Sequence, residues 1–142
     1  MTTLLSTTIT TAVTAQVTTP LQLREVQGNM AQSIGLQGNF TYGSGGTTAD
    51  AWVQTSFDGG NSWCDVANFH FTLSSKRYFF NLSSLTPVTT EATPTDGALA
   101  ANTANDGTIG QLWRVKYSSS GTYAGSTTLR VDANALGLTS SP

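Results

Sequence analysis

The stretch Asp50–Leu73, DAWVQTSFDGGNSWCDVANFHFTL, decides the fold. Its first half alternates between the two sides of an extended chain: Ala51, Val53, Thr55 and Phe57 lie on one side, and Trp52, Gln54 and Ser56 on the other. This period of two predicts a β-strand. The run Asp58–Asn61 is rich in turn-forming residues, and Phe69, Phe71 and Leu73 continue an apolar face beyond it. The stretch therefore predicts a β-hairpin at the centre of the core.

The turn of this hairpin carries the most specific motif in the chain. Ser56, Asp58, Gly60, Ser62 and Trp63 match S-x-D-x-G-x-[ST]-W, and the match resembles the Asp-box of sialidases and other repeat β-propellers. In those families the box is a structural turn away from the catalytic centre. A sialidase would also need several boxes, a much longer chain and clustered arginines. We interpret the motif as a structural turn whose carboxylate accepts hydrogen bonds from nearby amides.

Composition extends the β prediction to the whole chain. The 142 residues amount to about one domain, and they include 25 Thr, which favours strands, and 15 Ser, which favours turns. Charged residues make up only 10% and the net charge is −2, which argues against nucleic-acid binding. No apolar run approaches the roughly 20 residues of a membrane span. We therefore expect an all-β protein with a hydroxyl-rich surface, and no nucleic-acid or membrane partner.

The predicted strands divide the chain into three segments. Residues 1–19 alternate Thr with apolar side chains and are predicted to form an extended Thr-rich arm, with a disordered tail as the alternative. Residues 20–133 combine short strands with turn signals, which is typical of a single-domain antiparallel β-sandwich or jelly roll. Within this domain residues 83–110 are predicted to form a long loop. Residues 134–142 are expected to be a C-terminal tail.

Several strands of the sandwich are predicted from local patterns. Short strands are expected at Leu21–Val26, around Ile34 and Leu36, and around Phe40 and Tyr42. Further strands are expected at 76–82, 112–117 and 123–131, each with alternating apolar side chains. Trp63 and Trp113 are predicted to lie in the core beside the phenylalanines of the central hairpin.

Side chains that carry catalysis are sparse. His70 is the only histidine, and its neighbours place it on the face opposite the core, as a surface or interface residue. Cys64 is the only cysteine, which excludes an intrachain disulfide and a cysteine-based zinc site. Asp96 and Asp106 belong to Asp-Gly turns. The sequence therefore predicts a non-enzymatic protein with no catalytic residues, metal or cofactor.

The central and C-terminal parts of the chain carry a family resemblance. The runs concerned are AWVQTSFDGGNSWCDVANFHF, TPTDGALAANTANDGTIGQLWRVKY and GTYAGSTTLRVDA, within residues 50–133. They resemble a family of small uncharacterised proteins from tailed phages and prophages, associated with virion structural genes. The resemblance implies a place in the virion, after synthesis in the host bacterial cytoplasm, and carries over no catalytic residue.

These observations lead to one functional hypothesis and two alternatives. We expect a capsid decoration protein, with a neck, collar or tail component as the alternative and a carbohydrate-binding module as a further one. The expected partners are copies of the chain itself, as a trimer, and other virion proteins such as the major capsid protein. The candidate intersubunit contacts are Cys64, Ile9, Val13 and Val17. Exposure of Trp52 or Trp113 on a flat face would instead favour sugar binding.

Overall fold

The computed structural model describes residues 1–23 and 32–136. Over these residues the chain forms ten strands. Their bounds are β1 (Thr2–Thr8), β2 (Val13–Val17), β3 (Ser33–Thr41), β4 (Ser44–Gly45), β5 (Thr48–Ser56), β6 (Cys64–Phe71), β7 (Lys76–Ser83), β8 (Leu112–Ser120), β9 (Tyr123–Ala124) and β10 (Thr128–Leu136). Eight of them build two four-stranded sheets, and β4 pairs with β9. The pairings are antiparallel, so the predicted all-β sandwich is confirmed.

Strand pairing follows a nested order. The first sheet runs β1-β10-β3-β7 and the second runs β2-β8-β5-β6. The innermost pair is the hairpin β5–β6, and around it lie β3–β7, β2–β8 and finally β1–β10. Each step outward along the chain therefore adds a pair of strands whose members are farther apart in sequence.

The core fills the space between the two sheets. It contains Ala49, Ala51 and Val53 of β5, as the alternation of the central stretch predicts. Its largest side chains include Phe40, Phe69, Phe71, Trp113 and Tyr123. The rings of Phe40 and Phe71 stack with centroids 5.0 Å apart, so β3 of the first sheet contacts β6 of the second. Aromatic pairs of this kind add about 0.5–1.5 kcal/mol beyond the area that they bury.

Strand β3 replaces the two short strands predicted around Ile34–Leu36 and Phe40–Tyr42. Its inward positions are Ile34, Leu36, Gly38 and Phe40. A Cβ atom at Gly38 would lie 2.5 Å from Cγ of Phe69, so the glycine makes room for that ring from the opposite sheet. Gly38 therefore serves packing inside a continuous strand.

The N-terminal segment is part of the sandwich, which corrects the predicted arm. Strand β1 pairs with β10, strand β2 pairs with β8, and Leu4, Leu5 and Ile9 belong to the core. A bulge in β1 between Thr3 and Leu5 accounts for the two consecutive buried leucines, which strict alternation does not allow. The Thr-rich segment is a pair of edge strands because its partners come from the far end of the chain.

Two other predicted boundaries change. Strand β10 continues to Leu136 and pairs with β3 over its whole length, so the sandwich extends beyond residue 133. Of the predicted strand Leu21–Val26, Leu21 forms a bridge to Trp113 of β8, while residues 24–26 lie outside the described residues. The part of the predicted tail at 137–142 also lies outside them.

A substitution in strand β1 tests directly whether the N-terminal segment belongs to the folded sandwich. Leu5→Ala should lower the free energy of unfolding by about 2–5 kcal/mol, because it leaves a cavity between the sheets. The neighbouring Ser6 is exposed, so Ser6→Ala is the matched control, with a change within about 0.5 kcal/mol. Urea unfolding of both variants makes the comparison. Equal stability of the two would mean that residues 1–19 lie outside the folded unit.

Candidate functional site

The long loop, residues 84–111, covers the free edge of β6 in the second sheet. The Thr95 carbonyl accepts a hydrogen bond from Asp65 N at 2.8 Å, and the Thr103 carbonyl accepts one from Asn68 N at 2.9 Å. Asn105 N donates to the Val66 carbonyl at 2.7 Å. The loop therefore occupies the positions that a further strand would take, and it protects an edge that would otherwise be open for pairing.

A single carboxylate anchors this loop. Asp65 is buried, and its two oxygens accept hydrogen bonds from side chains and consecutive backbone amides. The donors are Gln54 Nε2 and Thr95 Oγ1 at 2.8 Å, Gly97 N and Ala98 N at 2.9 Å, and Leu99 N at 3.0 Å. Three successive loop amides thus find their partner in one side chain of the sheet. This arrangement holds an irregular segment on the outer face of β5 and β6.

A β-bulge places Asp65 on that outer face. Val53 pairs with Ala67 whereas Gln54 pairs with Asp65, so Val66 is an extra residue in β6. Without the bulge, Asp65 would share the inward face of Ala67 and bring a carboxylate into the apolar core. The period of two of the strand is therefore interrupted at Val66.

A polar chain extends from Asp65 across the sheet. Gln54 Nε2 also donates to Asp96 Oδ1 at 2.6 Å, and Gln54 Oε1 accepts from Arg114 Nε at 2.8 Å. Lys116 Nζ lies 2.6 Å from Asp96 Oδ1. Burial opposes the charge of Asp96, but the hydrogen bonds from Lys116 and Gln54 outweigh it and hold the pKa of Asp96 below its ordinary value. The loop is thereby tied to β5 and β8 as well as to β6.

The Asp-box residues come together in one compact turn. Ser56 Oγ accepts a hydrogen bond from Gly60 N at 2.8 Å and donates to Asp58 Oδ1 at 2.9 Å. Ser62 donates to the Asp58 carboxylate twice, through its amide at 2.8 Å and its hydroxyl at 2.5 Å. The Ser62 hydroxyl, its amide and Ser56 together lower the pKa of Asp58 to about 2. The turn is therefore held together by local hydrogen bonds.

The tryptophan of the box lies at the surface edge, which corrects its predicted place in the core. Trp113 is buried between the sheets, whereas Trp63 is only half-buried. The guanidinium of Arg114 lies over the Trp63 ring, 4.3 Å from the centroid. Trp52 is also half-buried, and its Nε1 donates to the Leu99 carbonyl at 3.1 Å under the long loop. Neither Trp52 nor Trp113 thus forms the open flat face that would favour sugar binding.

A cavity of about 670 Å³ lies between the Asp-box turn and the long loop. Phe57, Trp63 and Cys64 line its sheet side, and Val88, Pro94 and residues 104–108 line its loop side. The alternation of the central stretch groups Phe57 with the buried Ala51 and Val53, but its side chain is 67% exposed because the strand ends at Ser56. We call this cavity the box groove. It combines two aromatic rings with hydroxyl and amide groups.

Cys64 is half-buried in the wall of the box groove. Its Sγ donates a weak hydrogen bond to the Thr55 carbonyl at 3.4 Å. Burial raises the pKa of the thiol, and the charges of Asp65 and Asp58 raise it further. The thiol is therefore protonated and slow to react near neutral pH.

The other candidate contact residues differ in their exposure. Ile9 is only 3% exposed and packs in the core of its own chain, which leaves almost none of its surface for a contact between subunits. Val13 is half-buried where β2 begins, and Val17 is about half exposed where β2 ends. Of the four, Val17 presents the most apolar surface to solvent.

His70 lies on the outer face of the second sheet. Its Nδ1 is 2.8 Å from Asp50 Oδ1, and its backbone amide donates to Asn102 Oδ1 of the long loop.

Within residues 1–23 and 32–136, no cluster of His, Cys, Asp and Glu could hold a metal ion. None of these residues forms a helix long and apolar enough to cross a membrane.

The chain matched no model of a protein family, no curated protein and no solved structure. The properties of the site therefore rest on its own geometry.

The loop anchor can be tested at Asp65. Asp65→Ala should destabilise the protein by at least about 3 kcal/mol, because several buried donors lose their partner at once. The amides of Gly97, Ala98 and Leu99 should lose their protection from hydrogen exchange. Asp96→Ala is the comparison and should cost clearly less, since the half-exposed Asp96 carboxylate accepts from Gln54 and Lys116 but from no backbone amide of the loop. A similar loss in both variants would contradict the anchoring role of Asp65.

The Asp-box turn makes a pH-dependent contribution to stability. The pKa of Asp58 is about 2 in the folded chain against an ordinary 3.8, so its charge favours folding above pH 3.8. That contribution disappears as the pH falls through about 2. Asp58→Ala should therefore lower the melting temperature at pH 6, and the gap to the original protein should close between pH 4 and pH 2. A gap that is constant with pH would show that the carboxylate charge is irrelevant to the turn.

Proposed function

We propose that the protein is a non-enzymatic structural protein of a bacteriophage virion, namely a capsid decoration protein. In this role it binds copies of itself, as a trimer, and the major capsid protein. The nested pairing of its eight main strands supports a jelly roll, which we include in the proposal because that architecture occurs in viral capsid and lectin domains. Because a fold alone does not define a function, the proposal rests on the surface of the molecule.

The observation that carries the proposal is the edge formed by β7. Among the described residues β3 is the only strand that pairs with β7, and the long loop, which covers the edge of β6, reaches β7 only at its end, where the Ser83 amide donates to Asp106. Phe79, in the middle of β7, is 79% exposed, and Leu85, just beyond the strand, is also largely exposed. An open strand edge beside an exposed aromatic ring is a surface suited to another protein chain.

The surroundings of Phe79 support a protein contact. On the outer face of the first sheet, Gln37 lies opposite Phe79 and Asn39 lies opposite Arg77. Polar, hydrogen-bonding side chains therefore surround one aromatic anchor, which is the usual arrangement of a protein interface. Strands β1 and β2 are edge strands as well, but neither contains an aromatic residue, so we assign the intersubunit contact to the β7 edge instead of the Thr-rich segment.

The proposed trimer would be a ring with rotational symmetry. A contact that each copy makes with the next closes into a ring when the rotation between copies is regular. We propose a trimer of this kind on the capsid surface, assembled after synthesis in the bacterial cytoplasm. A neck, collar or tail component would use the same β7 edge, and only its place on the particle would differ.

The proposal is tested on particles by immunogold electron microscopy. The original protein should label the capsid shell, and Phe79→Glu should remove the label because it places a charge in the contact. Phe57→Ser is the matched control, since Phe57 is a comparably exposed ring in the box groove. Analytical ultracentrifugation should show the same loss of trimer for Phe79→Glu alone.

Label at the neck or tail would select the alternative location. Absence of label from the particle would contradict the virion role. Full occupancy by Phe79→Glu would contradict the role of the β7 edge.

A further inference from the structure

We propose that the box groove binds a neutral saccharide, which stacks on the rings of Phe57 and Trp63. The groove is independent of the β7 edge and does not require the virion role. Its volume of about 670 Å³ lies within the range of about 300–1,000 Å³ that ligand pockets occupy. Phe57 is 67% exposed, so a ligand can reach its ring.

The rings favour a ligand with an apolar face. A pyranose ring presents one face of C–H bonds, and such a face packs against an aromatic ring while the hydroxyl groups point outward. Trp63 and Phe57 line the same cavity with Val88 and Pro94 on the loop side, so both walls offer apolar surface. A sugar ring between these walls would bury its C–H face.

The charges of the groove exclude an anionic ligand. Among the described residues, those lining the cavity include no Lys, Arg or His. The two carboxylates in the lining are already supplied with donors. Asp65 is saturated by the loop, and Asp106 accepts hydrogen bonds from Ser83 N, Thr86 Oγ1 and Gly107 N. The groove therefore lacks a cation to pair with a phosphate, carboxylate or sulfate group.

A cationic ligand is also disfavoured. The guanidinium of Arg114 lies 4.3 Å from the centroid of the Trp63 ring and uses its negative π face. A second cation at this ring would be repelled by the first, and cation–π attraction is worth only about 0.5–2 kcal/mol. A neutral ligand makes its contact with the ring without that repulsion.

Hydroxyl and amide groups complete the site. Ser62, Thr93, Thr108 and Asn105 lie in the lining. The Ser62 hydroxyl donates to Asp58 and keeps its acceptor capacity, while the Asn105 side chain is oriented by a hydrogen bond to the Asp65 carbonyl at 3.2 Å. Sugar hydroxyl groups can both donate to and accept from such partners. The walls are fixed by the Asp-box turn and by the Asp65 anchor, so binding orders little of the protein.

Calorimetric titration tests the ligand class. The probes are the neutral disaccharides maltose, cellobiose and lactose, with glucuronate as the anionic probe and choline as the cationic one. At least one disaccharide should bind. Phe57→Ala should weaken its binding by about tenfold or more, and Phe79→Ala should leave it unchanged. Both side chains are exposed, so both variants should fold.

Cys64 gives a second readout without any substitution. It is the only cysteine in the chain and it lines the groove, so a bound disaccharide should slow its alkylation by iodoacetamide above pH 8. Failure of all three disaccharides to bind, binding of choline or glucuronate instead, or equal loss with Phe79→Ala would each overturn the proposal. These outcomes leave the particle experiment unaffected, so the two proposals can fail separately.

Discussion

The buried carboxylate of Asp65 is the constraint on which the surface of the molecule depends. The long loop has no helix or strand of its own, so its backbone amides need partners elsewhere. Asp65 supplies them for three successive residues and accepts from Gln54 at the same time. Gln54 in turn holds Arg114, which lies over Trp63. One side chain therefore connects the sheet, the loop and the wall of the groove.

Patterns that extend over a few residues could be predicted from the sequence. The alternation around Val53 fixed the inward face of β5, and the Asp-box identified its own turn because every partner lies between Ser56 and Ser62. Features that depend on contacts between residues far apart in the chain could not be predicted in this way. Gly38 is explained by a phenylalanine of the other sheet, and the Thr-rich N-terminus becomes two strands only because β8 and β10 lie beside it. Its weak hydrophobicity gave no sign of these partners.

The box groove is another feature that the sequence alone could not predict. Trp63 and Phe57 stand out in the sequence as large apolar residues, and the core was the natural expectation for both. Their exposure follows from two local events, the end of β5 at Ser56 and the bulge at Val66. The opposite wall comes from residues 88–108, whose position depends on Asp65. The hydrogen bonds of that carboxylate and the backbone bonds between β6 and the loop bring the two walls together, and neither set can be predicted from the sequence.

The nested order of the strands has a consequence for synthesis on the ribosome. The β5–β6 hairpin can close as soon as it emerges, but β1 has to wait for β10, and Thr3 contacts a residue 129 positions later, Asp132. The core leucines of β1 stay exposed until β10 has been made. Topologies with such distant contacts fold slowly, because the entropy of closing the chain is lost before the contacts form. Threonine suits such a segment, because it favours extended strands while its hydroxyl group can still bond to water before β10 arrives.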